Sequence, residues 1–325
     1  MSLFSTYNLK IGYRYKEEKE LQRNINVVLD KGQIVSLIGQ NGVGKTTFIK
    51  TISGLLPPLH GQIFYGDQEI SSISKTILAT RFSIVLTERP TSANLTVKEI
   101  VALGRHPYSS WLGTLSEKDK DAVRAAIDKT RINYIVDKKL YQLSDGQLQK
   151  VMIARALAQE TDLIFLDEPT AHLDLHNKIE IMYLLKEIAA EGKGILISTH
   201  DLHISTQISD VFWLFNFNEP VLKGTPEDLI LDGSIEKTLF LEEYDYDFKT
   251  GFSFIKSDKK INIQGKGDRR FWAEIALRKR GIDVSTEHNE VDLIEVTSDS
   301  FILKRKGQQP VKVYSIEELL KIIPQ

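Results

Sequence analysis

The chain has 325 residues, 42% of them hydrophobic, and a net charge of −2, so it has material for a full core and no global bias toward nucleic acid or another polyanion. It contains no cysteine, which excludes disulfides and thiolate metal centres and accords with a reducing compartment. The opening MSLFSTYNLKIGYRYK lacks a basic segment followed by an apolar one. No later run reaches the ~18 uncharged apolar residues of a spanning helix, so any membrane role is expected to come through a partner.

Taken in order, Leu3 to Tyr15 and Ile25 to Leu29 alternate polar and apolar residues and predict two antiparallel strands around the charged turn KEEKE. The apolar run IVSLIG predicts a buried strand, and a helix over Thr47 to Leu55 is stopped by Gly54 and Pro57-Pro58. GQIFYGDQEI reads as a short hairpin arm and Arg81 to Leu86 as a strand. Thr96 with Glu99 forms a capping box opening a helix through Leu103, and Ser116 caps another across EKDKDAVRAAIDK. Residues 90 to 148 are thus expected to be a mainly helical subdomain.

Leu148 to Ala158 reads as an alanine-rich helix and Asp162 to Leu166 as a buried strand. Ile181, Leu184, Leu185 and Ile188 give the next helix one apolar face. GILIST and VFWLF are two further buried strands. Strands alternating with helices predict an α/β fold with a largely parallel sheet covered on both faces. Beyond about residue 247 the character changes: Lys256 to Arg280 carries nine Lys or Arg against three Asp or Glu. Val291 to Val313 predicts a hairpin, and Ser315 with Glu318 caps a last helix. The expected organisation is one domain over 1–247 and a small α+β extension over 248–325, whose basic stretch reads as a solvated face.

Two stretches carry chemistry. Gly39, Gln40, Asn41, Gly42, Val43, Gly44, Lys45, Thr46 and Thr47 fit G-x-x-x-x-G-K-[ST] directly after a strand. Such a loop turns successive N–H groups inward and adds a helix N-terminus, which cages polyphosphate; Lys45 reaches the β- and γ-phosphates, and the Thr46 hydroxyl can ligate Mg²⁺. In LIFLDEPT, Asp167 ends a buried strand and is placed to hold Mg²⁺, while Glu168 beside it is the natural general base toward the γ-phosphate.

With these two elements the chain resembles the ATP-binding subunit of an ABC transporter, over residues 1 to about 245 and with five motifs in the family's order. LSDGQ, Leu143, Ser144, Asp145, Gly146 and Gln147, matches the family signature, whose serine and backbone N–H groups at a helix start make a second anion site. DEPTAHLD supplies the second nucleotide element and the D-loop around Asp174. ISTHD puts His200 at the switch position that senses the γ-phosphate. The resemblance implies that Tyr13, with Tyr15 as fallback, stacks on adenine. It further implies that the signature completes the pocket of a second copy, so that a homodimer sandwiches two ATP molecules.

VALGRHPYSSWLGTLSEKD and the aspartate of LSDGQ resemble the subfamily that energises import of iron chelates (siderophores), haem and vitamin B12 (cobalamin). That implies integral membrane permease subunits as partners at the cytoplasmic face of the membrane, with a substrate-binding protein acting indirectly. Importers of zinc or manganese and a soluble ABC-type ATPase are the alternatives. A soluble ATPase would call for two cassettes in one chain or a coiled-coil insertion, and neither is in the sequence. The chain departs from the family at the Q-loop, where Thr87 followed by Glu88 stands in place of glutamine. Thr87 is expected to take that position and Glu88 to point toward the permease or solvent.

Overall fold

A computed structural model describes residues 2–14, 18–87, 94–109, 114–241, 244–255, 257–285 and 292–323. Five parallel strands order as Val211–Phe215, Ile34–Gly39, Gly194–Ser198, Leu163–Asp167 and Phe82–Val85, and Leu222–Gly224 adds antiparallel at one edge. The central three are buried along their whole length, which is why they read as unbroken apolar runs. Their register aligns Asp167 with Ser198 and Ser198 with Leu37, and so brings the carboxyl ends of three strands beside the phosphate loop.

On one face of this sheet lies the helix Lys45–Ile52, with the antiparallel arm of Ser2–Arg14, Glu18–Ile25, Val28–Asp30, His60–Tyr65 and Gln68–Glu69. Phe4, Tyr65, Phe82 and Phe165 form a chain of ring contacts there, with centroids 5.2–6.0 Å apart. The other face is covered by the helices Val97–Ala102, Glu117–Lys129, Asp145–Ala158, Leu175–Ala190 and Leu202–Ile208. Ile181, Leu184, Leu185 and Ile188 all face that core.

The helix caps expected at Thr96, Ser116 and Ser315 are all formed, each as a capping box, with Glu99, Asp119 and Glu318 as the reciprocal acids. Some boundaries differ. The strand after the first turn resumes at Glu18, inside KEEKE, because Lys10 on the facing strand bridges Glu18 at 2.6 Å and Glu20 at 2.9 Å. The phosphate-loop helix starts at Lys45 rather than Thr47, since Gly44 serves as a left-handed N-cap. The expected hairpin over 291–313 gains a third strand: Leu293–Val296 pairs with Phe301–Lys304, which pairs with Val311–Val313.

The chain divides into two compact units, Met1–Leu239 and Phe240–Gln325, a division earlier than the boundary expected near residue 247. In the second unit, strands Lys260–Gln264, Asp283–Ser285 and Leu293–Val296 are parallel neighbours, the other two antiparallel, and helices Asp268–Arg278 and Ile316–Ile322 complete a separate core around Leu277, Ile294, Phe301 and Leu319. Among the described residues no helix is long and apolar enough to cross a membrane.

The GRHP segment resolves into a buried clamp. Arg105, 2% exposed, donates from Nε to Asp119 Oδ1 at 2.8 Å and from Nη1 to Ala158 O at 2.8 Å and Glu160 Oε2 at 2.7 Å, with its guanidinium 4.1 Å from the Tyr108 ring centroid. It thereby ties the start of one subdomain helix to the end of the signature helix. The Ser116 hydroxyl, and after it the Arg105 guanidinium, hold the Asp119 carboxyl down at about 2. A carboxyl lowered on folding stabilises the fold above its unfolded value near ~3.9 and loses that contribution as pH falls toward its folded value. Urea midpoints of Ser116→Ala and Arg105→Met should therefore lie below the parent's at neutral pH, and the gap should narrow from about pH 4 to 2. A gap independent of pH across that window would show that Asp119 is not the group through which the clamp acts.

Candidate active site

The nucleotide loop follows directly from Ile34–Gly39. Gly42 and Gly44 have φ of 82° and 112°, in the left-handed region that suits glycine, and they let the loop curl back over its own strand. Gln22, 3% exposed, braces the loop from the antiparallel arm, donating to Asn216 O at 2.6 Å and Val43 O at 3.4 Å. Lys45 is 8% exposed, and its ammonium donates to Gly39 O at 2.7 Å and Gln40 O at 3.1 Å. Burial pushes this ammonium below its ordinary range, while Glu168 and Asp167 pull it back up. The cation is thus held inside the loop, on the loop's own carbonyls.

Thr46 Oγ1 donates to Asp167 at 3.1 and 3.3 Å to its two oxygens. Asp167, 5% exposed, also accepts from the Ser198 hydroxyl, itself wholly buried. A hydroxyl beside a buried carboxylate is a hard oxygen donor pair. It fits Mg²⁺, which takes one or two carboxylates plus substrate phosphates rather than an all-protein cage. Among the described residues no cluster of three or more His, Cys, Asp or Glu is gathered.

Glu168 turns the chain out of the strand with φ 51°, unusual for a residue with a side chain, and His172 four residues on has φ 62°. The Glu168 N–H donates to Ser198 O at 3.0 Å, fixing the turn. His200 Nδ1 lies 2.8 Å from Glu168 Oε2 without completing a hydrogen bond. Tyr13 OH is 2.9 Å from Thr47 Oγ1, which puts the ring at the helix that opens from the loop. Tyr15 and Glu88 lie outside the described residues. The Thr87 hydroxyl donates to Asp167 O at 3.0 Å.

The structure gathers Lys45, Thr46, Asp167, Glu168, His200 and Thr87 by contact. The signature forms a separate station. Ser144 caps the helix Asp145–Ala158 through Gln147 N at 3.3 Å, and Gln147 Oε1 accepts from Ser144 N at 3.1 Å. Leu143 precedes the cap, partly buried, and Asp145 is exposed. Gly146 is buried against Asn177, where an added Cβ would come 2.3 Å from Oδ1. Asn177 is pinned by Asp174, which caps the helix Leu175–Ala190 and accepts from Asn177 N at 2.8 Å and Nδ2 at 2.9 Å. Asn177, Ser198 and Gln22 escape a motif-based reading; the one visible signal was a hydroxyl inside the otherwise apolar GILIS.

A polyphosphate cage, an oxygen pair for a divalent cation and a carboxylate beside it define a P-loop nucleoside triphosphatase. Residues 22–171 match the model of the ABC transporter family and residues 258–324 that of the iron ABC transporter C-terminal domain. The chain is 34% identical to an uncharacterised ABC transporter ATP-binding protein of Methanocaldococcus jannaschii over 80% of this chain and 91% of that one. It is 38% identical to the petrobactin import ATP-binding protein YclP of Bacillus subtilis over 67% and 86%. Among solved structures, a putative metal-chelate type ABC transporter in an inward-facing conformation superposes with a TM-score of 0.64 at 26% identity, covering 78% of this chain and 96% of that one. The protein belongs to the ATP-binding subunits of ABC transporters, enzymes that hydrolyse ATP to drive transport.

Proposed function

We propose that this chain energises import of a ferric siderophore, within the wider substrate class of iron chelates, haem and cobalamin. In this reading it docks on integral membrane permease subunits at the cytoplasmic face of the membrane, with a substrate-binding protein delivering the ligand to them. The observation that carries the proposal is the joining, in one chain, of the nucleotide site to a second unit that matches the iron transporter C-terminal domain. Relatives that act on siderophores support it.

In the working site Tyr13 stacks on adenine and the loop N–H groups of residues 39–47 with Lys45 bind the phosphates. Thr46 and Asp167 would hold Mg²⁺, which when bound neutralises charge on those phosphates. Glu168 accepts the proton of the attacking water and His200 reads the γ-phosphate, a pairing supported by the 2.8 Å between His200 Nδ1 and Glu168 Oε2. Two copies close over two ATP molecules, each signature Ser144 and the N–H groups of Gly146 and Gln147 facing the other's nucleotide.

Reconstituted with a siderophore permease and its binding protein, the chain should show ATP hydrolysis stimulated by ferric siderophore and not by zinc or manganese delivered through their own binding proteins. Stimulation by either metal ion alone would replace the siderophore reading with a metal-ion importer. Removing residues 240–325 should leave ATP-dependent dimerisation intact, because every nucleotide motif lies before that point. A truncated protein that folds but fails to bind ATP would show that the second unit serves the site.

A further inference from the structure

The side chain of His200 is 66% exposed, so packing around the ring does little to hold it beside Glu168 and its placement falls to the backbone on either side. Before it, Thr199 N donates to Leu37 O at 3.3 Å. After it, Asp201 donates its N–H to Thr199 Oγ1 at 3.0 Å and divides its carboxylate between two donors. Oδ1 accepts from Ile204 N at 3.2 Å, capping the helix Leu202–Ile208, and Oδ2 accepts from the Lys178 ammonium at 2.7 Å. The bonds to Thr199 and Ile204 are local and would travel with the loop. The bond to Lys178 is different, because it ties the residue next to His200 to the first turn of another helix, Leu175–Ala190, and both side chains of the pair are partly shielded from water. Asn177, the preceding residue on that turn, lies against Gly146 of the signature. One turn of helix thereby touches both the signature and the loop that carries His200.

We propose that Lys178 is a positioning residue for His200: by anchoring Asp201 it fixes where the loop carries the imidazole relative to Glu168. The proposal rests on the reading of His200 as the residue that senses the γ-phosphate. An ion pair that only stabilised the fold would leave the rate of the folded protein unchanged, and that difference is measurable.

The test follows ATP hydrolysis by the full chain over a range of ATP concentrations, in single turnovers where the rate is slow. Lys178→Met, which keeps the alkyl stem and removes the charge, should lower kcat about fivefold with KM within about twofold of the parent, the scale of one partly shielded ion pair. Asp201→Asn, which keeps a capping oxygen for Ile204, should lose as much, and the double variant no more than either alone. In a His200→Ala background Lys178→Met should cost nothing further, because its effect passes through the imidazole. Equal losses with and without His200, a loss confined to KM, or a Lys178→Met rate equal to the parent's would overturn the proposal. Should Lys178→Met fold poorly, Asp201→Asn against the same His200→Ala background decides the matter in the same way. If His200→Ala alone leaves the rate within twofold of the parent, the reading of His200 fails and this inference with it, whereas a large His200 effect beside an inert Lys178 fails this inference only.

Discussion

Glu168→Gln is expected to slow steady-state ATP hydrolysis by ~10²- to 10⁴-fold, the range for loss of a general base, while nucleotide still binds and an ATP-bound dimer accumulates. The substitution keeps the shape of the side chain and leaves Lys45 on its two carbonyls and Thr46 on Asp167. The turn at Glu168 is held by its N–H on Ser198 O, a backbone bond that an amide side chain does not disturb. What goes is one negative charge and the site that takes the proton. Losing that charge should also let burial lower the Lys45 ammonium further, since Glu168 is the first of the two carboxylates that pull it up. Size-exclusion chromatography with ATP and a phosphate-release assay measure both halves of the prediction. A variant that turns over within a few-fold of the parent removes Glu168 from the role.

Gly146→Ala should abolish ATP-dependent dimerisation and lower hydrolysis about 10²-fold, the effect of displacing a site by roughly an ångström, with ATP binding to the separate chain retained. An added Cβ meets Asn177 Oδ1 at 2.3 Å and Cγ at 2.4 Å, far inside contact distance. Asn177 can swing aside only by giving up the bond from its Nδ2 to Asp174 Oδ2 at 2.9 Å. While that bond holds, the start of the signature helix is expected to move, and Ser144 and the N–H groups beside it with it. Shortening the obstacle in the double variant Gly146→Ala, Asn177→Ala should recover most of the dimer. Failure of that recovery would mean that the glycine is required for some reason other than the close approach of Asn177.

The sheet, the nucleotide loop and the helix caps were legible because each is written in local chemistry: unbroken apolar runs, glycines before a lysine, a Ser or Thr three residues ahead of an acidic side chain. The contacts that organise the site were not. Asn177 lies one helical turn past an aspartate that a motif does identify, yet its role comes from an approach to a residue 31 positions earlier in the chain. Ser198 and Gln22 likewise act across strands. The turn of KEEKE was misplaced for the same reason, since the pairing of Lys10 with Glu18 and Glu20 is a cross-strand event that strand propensity does not encode. The role of Arg105 was hidden differently: an arginine in a sequence reads as surface, and only the converging carboxylates explain its burial.

The Lys45 ammonium donates to two carbonyls of its own loop, Gly39 O and Gln40 O. An ammonium has three N–H donors, and these carbonyls take two of them. An anion arriving at this lysine would therefore bind against internal competition, and its affinity would measure the difference between two sets of oxygens. The loop carries its own competitor, built into the backbone.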